Sequence, residues 1–212
     1  MAAGAAGSGA MNPAEPTLSP TLEDRVAFLQ RPAPYPDGVE EVESVETHMS
    51  WVFLAGDRAY KLKKPVRYEF LDFSTPDRRR DDCRAEVRLN RRLAPEVYLG
   101  VSALTLRDGE LELDGDGRPV DWLTRMERLP RERMLDRMIE RDTVDEGRLR
   151  EAARRLARFY RDADPASVTP DEHVRDLRGL VEENRRELTR PAFEMPAPRA
   201  EQVGRRLARF LV

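Results

Sequence analysis

Apolar and polar residues alternate along the first half of the chain and gather into helical stripes along the second. That change of period predicts a sheet-based region followed by a helical one. Thr21-Leu22-Glu23-Asp24 opens a short helix, with Thr21 as N-cap and Asp24 at the reciprocal capping position. Val26, Phe28 and Leu29 supply its apolar contacts, and Pro32, Pro34 and Pro36 force an extended loop behind it. Strand signals then come in series. Val39–Thr47 mixes valine with glutamate, Ser50–Ala55 has the length and aromatic content of a buried strand, and Arg58–Lys63 follows the Gly56-Asp57 turn and ends before Pro65. The three make an antiparallel meander.

Ser74-Thr75-Pro76 is an N-cap signal with proline in the first turn, and the helix it opens runs through RRRDDCRAEVRLNRRL to Ala94-Pro95. Cys83, Glu86, Asn90 and Leu93 share one of its faces, with Val87 and Leu89 beside them. Val101–Leu106 and Glu110–Leu113 flank Asp108-Gly109, a strong hairpin turn, and Val120–Met126 reads as another strand ended by Leu129-Pro130. From Glu132 the period becomes helical. Met134, Met138 and Ile139 form one stripe, expected in the core; Leu149, Ala153, Leu156, Phe159 and Tyr160 form a stronger one. Two further helices fit 171–189 and 199–211, separated by Pro191, Pro196 and Pro198. The expected organisation is a disordered tail over 1–20, a small lobe over 21–130 and a partial helical lobe over 131–212.

Composition narrows the classes of function. Acidic residues (40) interleave with basic ones (37) to a formal charge of −3, which argues against a nucleic-acid binder and against an arginine-rich RNA-binding reading in particular. The longest apolar run, Trp51–Ala55, is far too short to cross a bilayer, and the Ala- and Gly-rich opening does not read as a signal peptide. A cytoplasmic protein is expected. One cysteine, Cys83, excludes an internal disulfide, and two histidines, His48 and His173, make a zinc site improbable. Cys83 reads as a core filler, His48 as a turn or packing residue and Arg78-Arg79-Arg80 as a solvated helix start, with an acidic partner or nucleic acid as the alternative.

The basic residues carry one anomaly. Only three of the 37 are lysines, leaving 34 arginines, and all three lysines stand in the stretch AYKLKKPV as Lys61, Lys63 and Lys64. Strand alternation places Ala59, Lys61 and Lys63 on one face and Tyr60 and Leu62 on the other. An Ala-x-Lys on the third strand of a meander has the phase of a kinase phosphate-binding lysine, which needs an acidic partner from the following helix. Glu86 is placed for that role, with Asp82, Cys83, Leu89 and Asn90 and no basic residue at the i±3 and i±4 positions of its own helix. Lys63 and Lys64 read as surface charge or as a backbone-side attraction for phosphate.

ETHMSWVFLAGDRAYKLKKPV, then FLDFSTPDRRR, then AEVRLNRRLAPEVYLGV resemble the aminoglycoside phosphotransferase-like domain of bifunctional bacterial proteins in which a kinase-like domain precedes a P-loop ATP-binding domain. The resemblance implies an α+β, protein-kinase-like fold: an antiparallel small lobe with one long helix, followed by the start of a helical large lobe, with ATP and Mg²⁺ bound between lobes. Carried onto this sequence, it makes Lys61 the phosphate lysine, Glu86 its partner and Ala59 the adenine roof. Met126-Glu127-Arg128-Leu129 becomes the hinge, with Glu127 and Leu129 offering backbone groups to adenine. Thr47-His48-Met49-Ser50 stands where a Gly-rich loop is expected, leaving backbone amides and the Ser50 hydroxyl to touch phosphate.

The chain also departs from that pattern. It has no H-G-D-x-H-type loop to carry a catalytic base and no following aspartate for Mg²⁺; His173-Val174-Arg175-Asp176-Leu177 mimics a kinase H-R-D-L but has an extra residue and reads as a helix start. No G-x-x-x-x-G-K-[ST] occurs, so the P-loop domain of such proteins is expected downstream in relatives. The expectation is therefore the amino-terminal part of an ATP-dependent phosphotransferase acting on a small-molecule hydroxyl, with neither catalytic residues nor metal ligands of its own and no turnover as it stands. The competing reading is a non-catalytic nucleotide-binding or scaffolding pseudokinase module.

Overall fold

In a computed structural model of the chain, the described residues are 19–36, 38–68, 70–165, 167–190 and 196–210. The expected tail over 1–20 lies outside them but for Ser19 and Pro20, as does Pro191. They fall into two compact units that divide after Arg161.

The first unit opens with helix α1 (Leu22–Leu29), held by the reciprocal Thr21/Asp24 cap that the sequence announces. Strands β1 (Val42–Glu46), β2 (Ser50–Ala55) and β3 (Arg58–Lys63) form the meander. A small hairpin of β4 (Arg67–Tyr68) and β5 (Leu71–Asp72) leads into helix α2 (Pro76–Asn90). Then come β6 (Tyr98–Arg107), β7 (Glu110–Leu113) and β8 (Arg118–Glu127). The main sheet has the order β1-β2-β3-β8-β6-β7, and every pairing in it is antiparallel. The fold is thus α+β, with an antiparallel sheet and helices.

Alternation along the strands sorts side chains onto two faces. Phe53, Tyr60, Leu62, Leu104 and Leu123 turn to α1 and, with Val26, Leu29 and Tyr35, make the apolar core. Burying each large side chain contributes about 1.5–3 kcal/mol. Tyr35 closes that core by donating its hydroxyl to the Leu29 carbonyl at 2.5 Å. The opposite face receives α2, whose buried line is Arg79, Cys83 and Val87. This corrects the expected stripe: Asn90 is exposed, and Asp82 and Glu86 flank the buried line. Within Arg78-Arg79-Arg80 the solvated reading gives way at Arg79, which is buried and takes the acidic partner that was the alternative, while Arg78 is exposed. The Arg79 guanidinium bonds Asp121 through Nε (2.7 Å) and Nη2 (3.0 Å) and the Phe73 carbonyl through Nη1 (2.7 Å).

Asp121 takes a second arginine, Arg25 of α1, so one carboxylate joins helices from both faces of the sheet. The register between β6 and β8 skips Val120, pairing Leu104 with Asp121 and Thr105 with Pro119. Such a bulge re-aims side chains, here at the point where Asp121 meets both helices. Asp108-Gly109 makes the β6–β7 turn with both residues at positive φ (52° and 84°), the requirement of a type I′ hairpin.

A 3-10 turn at Arg131–Arg133, then α3 (Leu135–Glu140) and α4 (Glu146–Asp162), complete this unit. Met134 is half exposed, so the Met134/Met138 stripe is not the core element its spacing predicts. In the second unit α5 (Pro170–Leu188) packs against α6 (Ala197–Phe210). A side chain at Gly204 would stand 3.2 Å from Arg185 Cδ, so glycine permits the close approach. His173 lies in the first turn of α5, in keeping with the helix start read from its sequence. No helix among the described residues is long and apolar enough to cross a membrane.

Candidate functional site

Lys61 and Lys63 leave the same face of β3 and converge on one carboxylate of α2. Lys61 Nζ lies 3.0 Å from Glu86 Oε1, and Lys63 Nζ lies 2.5 Å from Glu86 Oε2. Lys63 also bonds Asp82 Oδ2 at 2.9 Å, and Thr124 Oγ1 donates to Glu86 Oε2 at 3.3 Å. Each contact follows from register. Lys61 lies opposite Thr124 of β8 and Val52 of β2, Lys63 lies opposite Ser50, and Asp82 precedes Glu86 by one helical turn.

The two ammoniums differ in surroundings. The Lys63 side chain is 3% exposed and stands 5.5 Å from the centre of the Phe73 ring, so the reading of it as surface charge is overturned. Its burial is compensated because two carboxylates and an aromatic face replace the lost water. The Lys61 side chain is 31% exposed. Lys64 is held at the periphery, 2.5 Å from Glu46 and 5.9 Å from the Trp51 ring centre.

Burial opposes the charge on Lys63, but the hydrogen bonds it donates to Asp82 and Glu86 outweigh it and raise its pKa above the ordinary 10.5. Burial likewise disfavours the Glu86 carboxylate, yet Lys63 and then Lys61 more than offset it and hold its pKa below the ordinary 4.5. Cys83, next to the cluster, has its thiol pushed up by burial and remains a core residue.

An open cavity of about 390 Å³ lies over this cluster. Lys61, Lys63, Asp82 and Glu86 form its charged part; Met49, Ser50, Phe70, Leu71, Phe73, Ala85 and Leu89 complete the wall. Ser50 is buried at the end of the β1–β2 turn, its amide donating to Thr47 Oγ1 (3.0 Å) and its carbonyl accepting from the Thr47 amide (2.8 Å). A larger open groove, about 630 Å³, lies between α1 and β7. Its charges are scattered, and Asp24 is committed to the α1 cap, so chemistry points to the smaller cavity.

Of the residues singled out from sequence, Lys61, Glu86 and Ser50 meet around one cavity. Ala59 is buried one strand step away from them, opposite Leu54 and Met126. Glu127 and Leu129 lie beyond Met126, with the Glu127 carboxylate on Arg58 at 2.6 Å. The amides of Glu127 and Arg128 donate to the carbonyls of Val97 and Asp57, each at 2.8 Å. Lys63, Asp82, Thr124 and Phe73 were missed. The signal for the first two was present: two lysines in strand phase faced a helix with two acids one turn apart.

Three curated relatives, uncharacterized proteins of Mycobacterium bovis and of two strains of Mycobacterium tuberculosis, are each 41% identical to this chain over 118 residues. That stretch is 56% of this chain and 22% of each relative, so the chain covers less than a quarter of the length of the curated relatives it matches. No family model and no solved structure matches the chain.

Proposed function

We propose that this chain carries the nucleotide-binding small lobe of a kinase-like phosphotransferase, related to the aminoglycoside phosphotransferase-like domains it resembles. The supporting observation is the Lys61–Glu86 pair: a strand lysine held at 3.0 Å by a helix carboxylate, with part of its side chain open to a cavity. On this reading Lys61 turns its ammonium to the α- and β-phosphates of ATP, and Glu86 keeps it charged and aimed. Ala59 roofs the adenine. Leu129 is the remaining hinge amide to donate to the base, because those of Glu127 and Arg128 are already committed.

Mg²⁺ fits less well. Asp82 and Glu86 are both engaged by Lys63, and no three His, Cys, Asp or Glu among the described residues converge on a metal position. A metal arriving with the nucleotide would be held by its phosphates. In longer relatives we place the base downstream, where an aspartate would accept the proton of a small-molecule hydroxyl as the γ-phosphate transfers.

Titration of the 212-residue chain with a non-hydrolysable ATP analogue tests the reading. Saturable binding is expected, weakened about tenfold or more in Lys61→Met, the loss typical of a charged hydrogen-bond donor. Absence of binding by the wild-type chain at millimolar analogue would overturn it. No phosphoryl transfer is expected; turnover by the purified chain would overturn that part alone.

A further inference from the structure

The Glu86 cluster contains one cation more than a lysine–glutamate pair needs, and that cation is its most buried member. We propose that Lys63 is the resident counter-ion of Glu86, a positioning residue that keeps α2 docked on the sheet and leaves Lys61 free to share its ammonium with a ligand. The part concerning Lys61 rests on the nucleotide reading; the part concerning Lys63 and α2 does not.

The argument begins with what an isolated pair would do. If Lys61 alone neutralised Glu86, sharing its ammonium with a phosphate would leave a largely buried carboxylate under-compensated, and a poorly paired buried charge is strongly unfavourable. The helix would then gain by swinging out to return Glu86 to water. Here Glu86 Oε2 keeps Lys63 at 2.5 Å and Thr124 Oγ1 at 3.3 Å while Lys61 is shared at Oε1. Lys63 is not open to such sharing. It is 3% exposed, lies against Phe73 and is shared with Asp82 one turn earlier.

Other contacts fix α2 without Lys61. Arg79 in its first turn is clamped by Asp121 and the Phe73 carbonyl. Beyond its last turn, Arg91 donates to the carbonyls of Tyr98 (2.7 Å) and Leu99 (2.6 Å). Lys63 holds the middle. The helix is therefore held at its start, centre and end by groups other than the lysine that would greet a ligand. The site is preorganised, and its helix need not move as ligand arrives.

Two measurements on the full chain test this without nucleotide: hydrogen exchange of the α2 amides from Asp82 to Asn90, and the titration of the Glu86 carboxyl followed by carbon NMR. In Lys61→Met, exchange is expected to stay within about twofold of wild type and Glu86 to titrate still below its ordinary value. In Lys63→Met, the same amides exchange about tenfold faster or more, as expected of a local opening made easier, and Glu86 titrates at or above its ordinary value. Lys63→Arg, which retains the charge, recovers part of the protection. Loosening of α2 in Lys61→Met equal to that in Lys63→Met, or return of Glu86 to its ordinary value in Lys61→Met, would overturn the proposal. So would Lys63→Met that leaves both readouts unmoved. Failure of Lys63→Met to fold while Lys61→Met folds normally supports it, and the Lys61→Met measurements alone remain able to overturn it. A wild-type chain that binds no nucleotide would remove the role of Lys61 and leave the locked helix standing.

Discussion

Two carboxylates, one buried and one partly buried, tie helices to the same sheet, and they do it with different cations. Asp121 is fully buried and held by Arg25 and Arg79, one from each face of the sheet. Glu86 is held by Lys61 and Lys63, both from one strand, and borders an open cavity. A guanidinium grips a carboxylate through two fixed donors, as Arg79 does, and such a fork is built to stay. An ammonium is a point charge on a flexible stem and exchanges one oxygen partner for another without losing geometry. In a chain with 34 arginines, two of the three lysines meet at the carboxylate that borders an open cavity, whereas Arg79 and Asp121 are buried. The difference separates a structural clamp from a candidate site.

The largest effect is expected from breaking the clamp. Asp121→Ala leaves two arginines facing a buried void, and loss of one member of a buried ion pair costs about 3–5 kcal/mol. Chemical denaturation should show that loss, or the variant should fail to fold. A change below about 1 kcal/mol, the range of an exposed pair, would mean that Asp121 is no clamp.

Glu86→Gln comes next. It removes the shared carboxylate but leaves Lys63 bonded to Asp82, so the loss should fall below that of Asp121→Ala, at about 2–3 kcal/mol on the scale of hydrogen bonds to charged groups. This loss carries a pH signature. The folded pKa of Glu86 is depressed, so its contribution is present above the ordinary value of 4.5 and is lost as pH falls through the folded value. The stability gap between wild type and Glu86→Gln should therefore be widest near neutrality and close on acidification. The Lys63 pKa is raised, so its contribution is complete below 10.5 and is lost only at still higher pH. A gap that persists unchanged in acid would mean that the glutamine variant is destabilised by shape and not by charge.

Much of this contrast was legible in the linear chain, but unevenly. The phase of Ala59, Lys61 and Lys63 on a strand, and the turn signals around it, placed the lysines correctly on one face. The caps Thr21/Asp24 and Thr75 placed the helix starts, because a cap is a local hydrogen bond between residues three apart. The Asp121 clamp was not legible. Arg79 finds Asp121 across 42 positions and Arg25 finds it across 96, and nothing local distinguishes Arg79 from its neighbours in RRR. The β4–β5 hairpin escaped notice because two-residue strands carry no periodicity. Lys63 was misjudged for a related reason. Its strand phase was visible, but its burial depends on Phe73 and the β1–β2 turn, which sequence alone does not bring over it.

The smallest effect on stability, and the sharpest test of the comparison, is expected at Lys61. Removing it by Lys61→Met should cost no more than about 1 kcal/mol, the range of a partly exposed pair, because Lys63 continues to compensate Glu86. Lys61→Arg goes further, since it converts the site into the chain's other kind of ion pair. A guanidinium there can reach Glu86 with two donors, so stability should hold or rise slightly. The same planar grip cannot turn a compact donor to a phosphate at the same time, so binding of the ATP analogue should fall about as far as in Lys61→Met. Denaturation and analogue titration on one preparation check both halves. Retained stability with retained binding would show that charge alone suffices at Lys61, and the scarcity of lysine elsewhere would then have no bearing on this site.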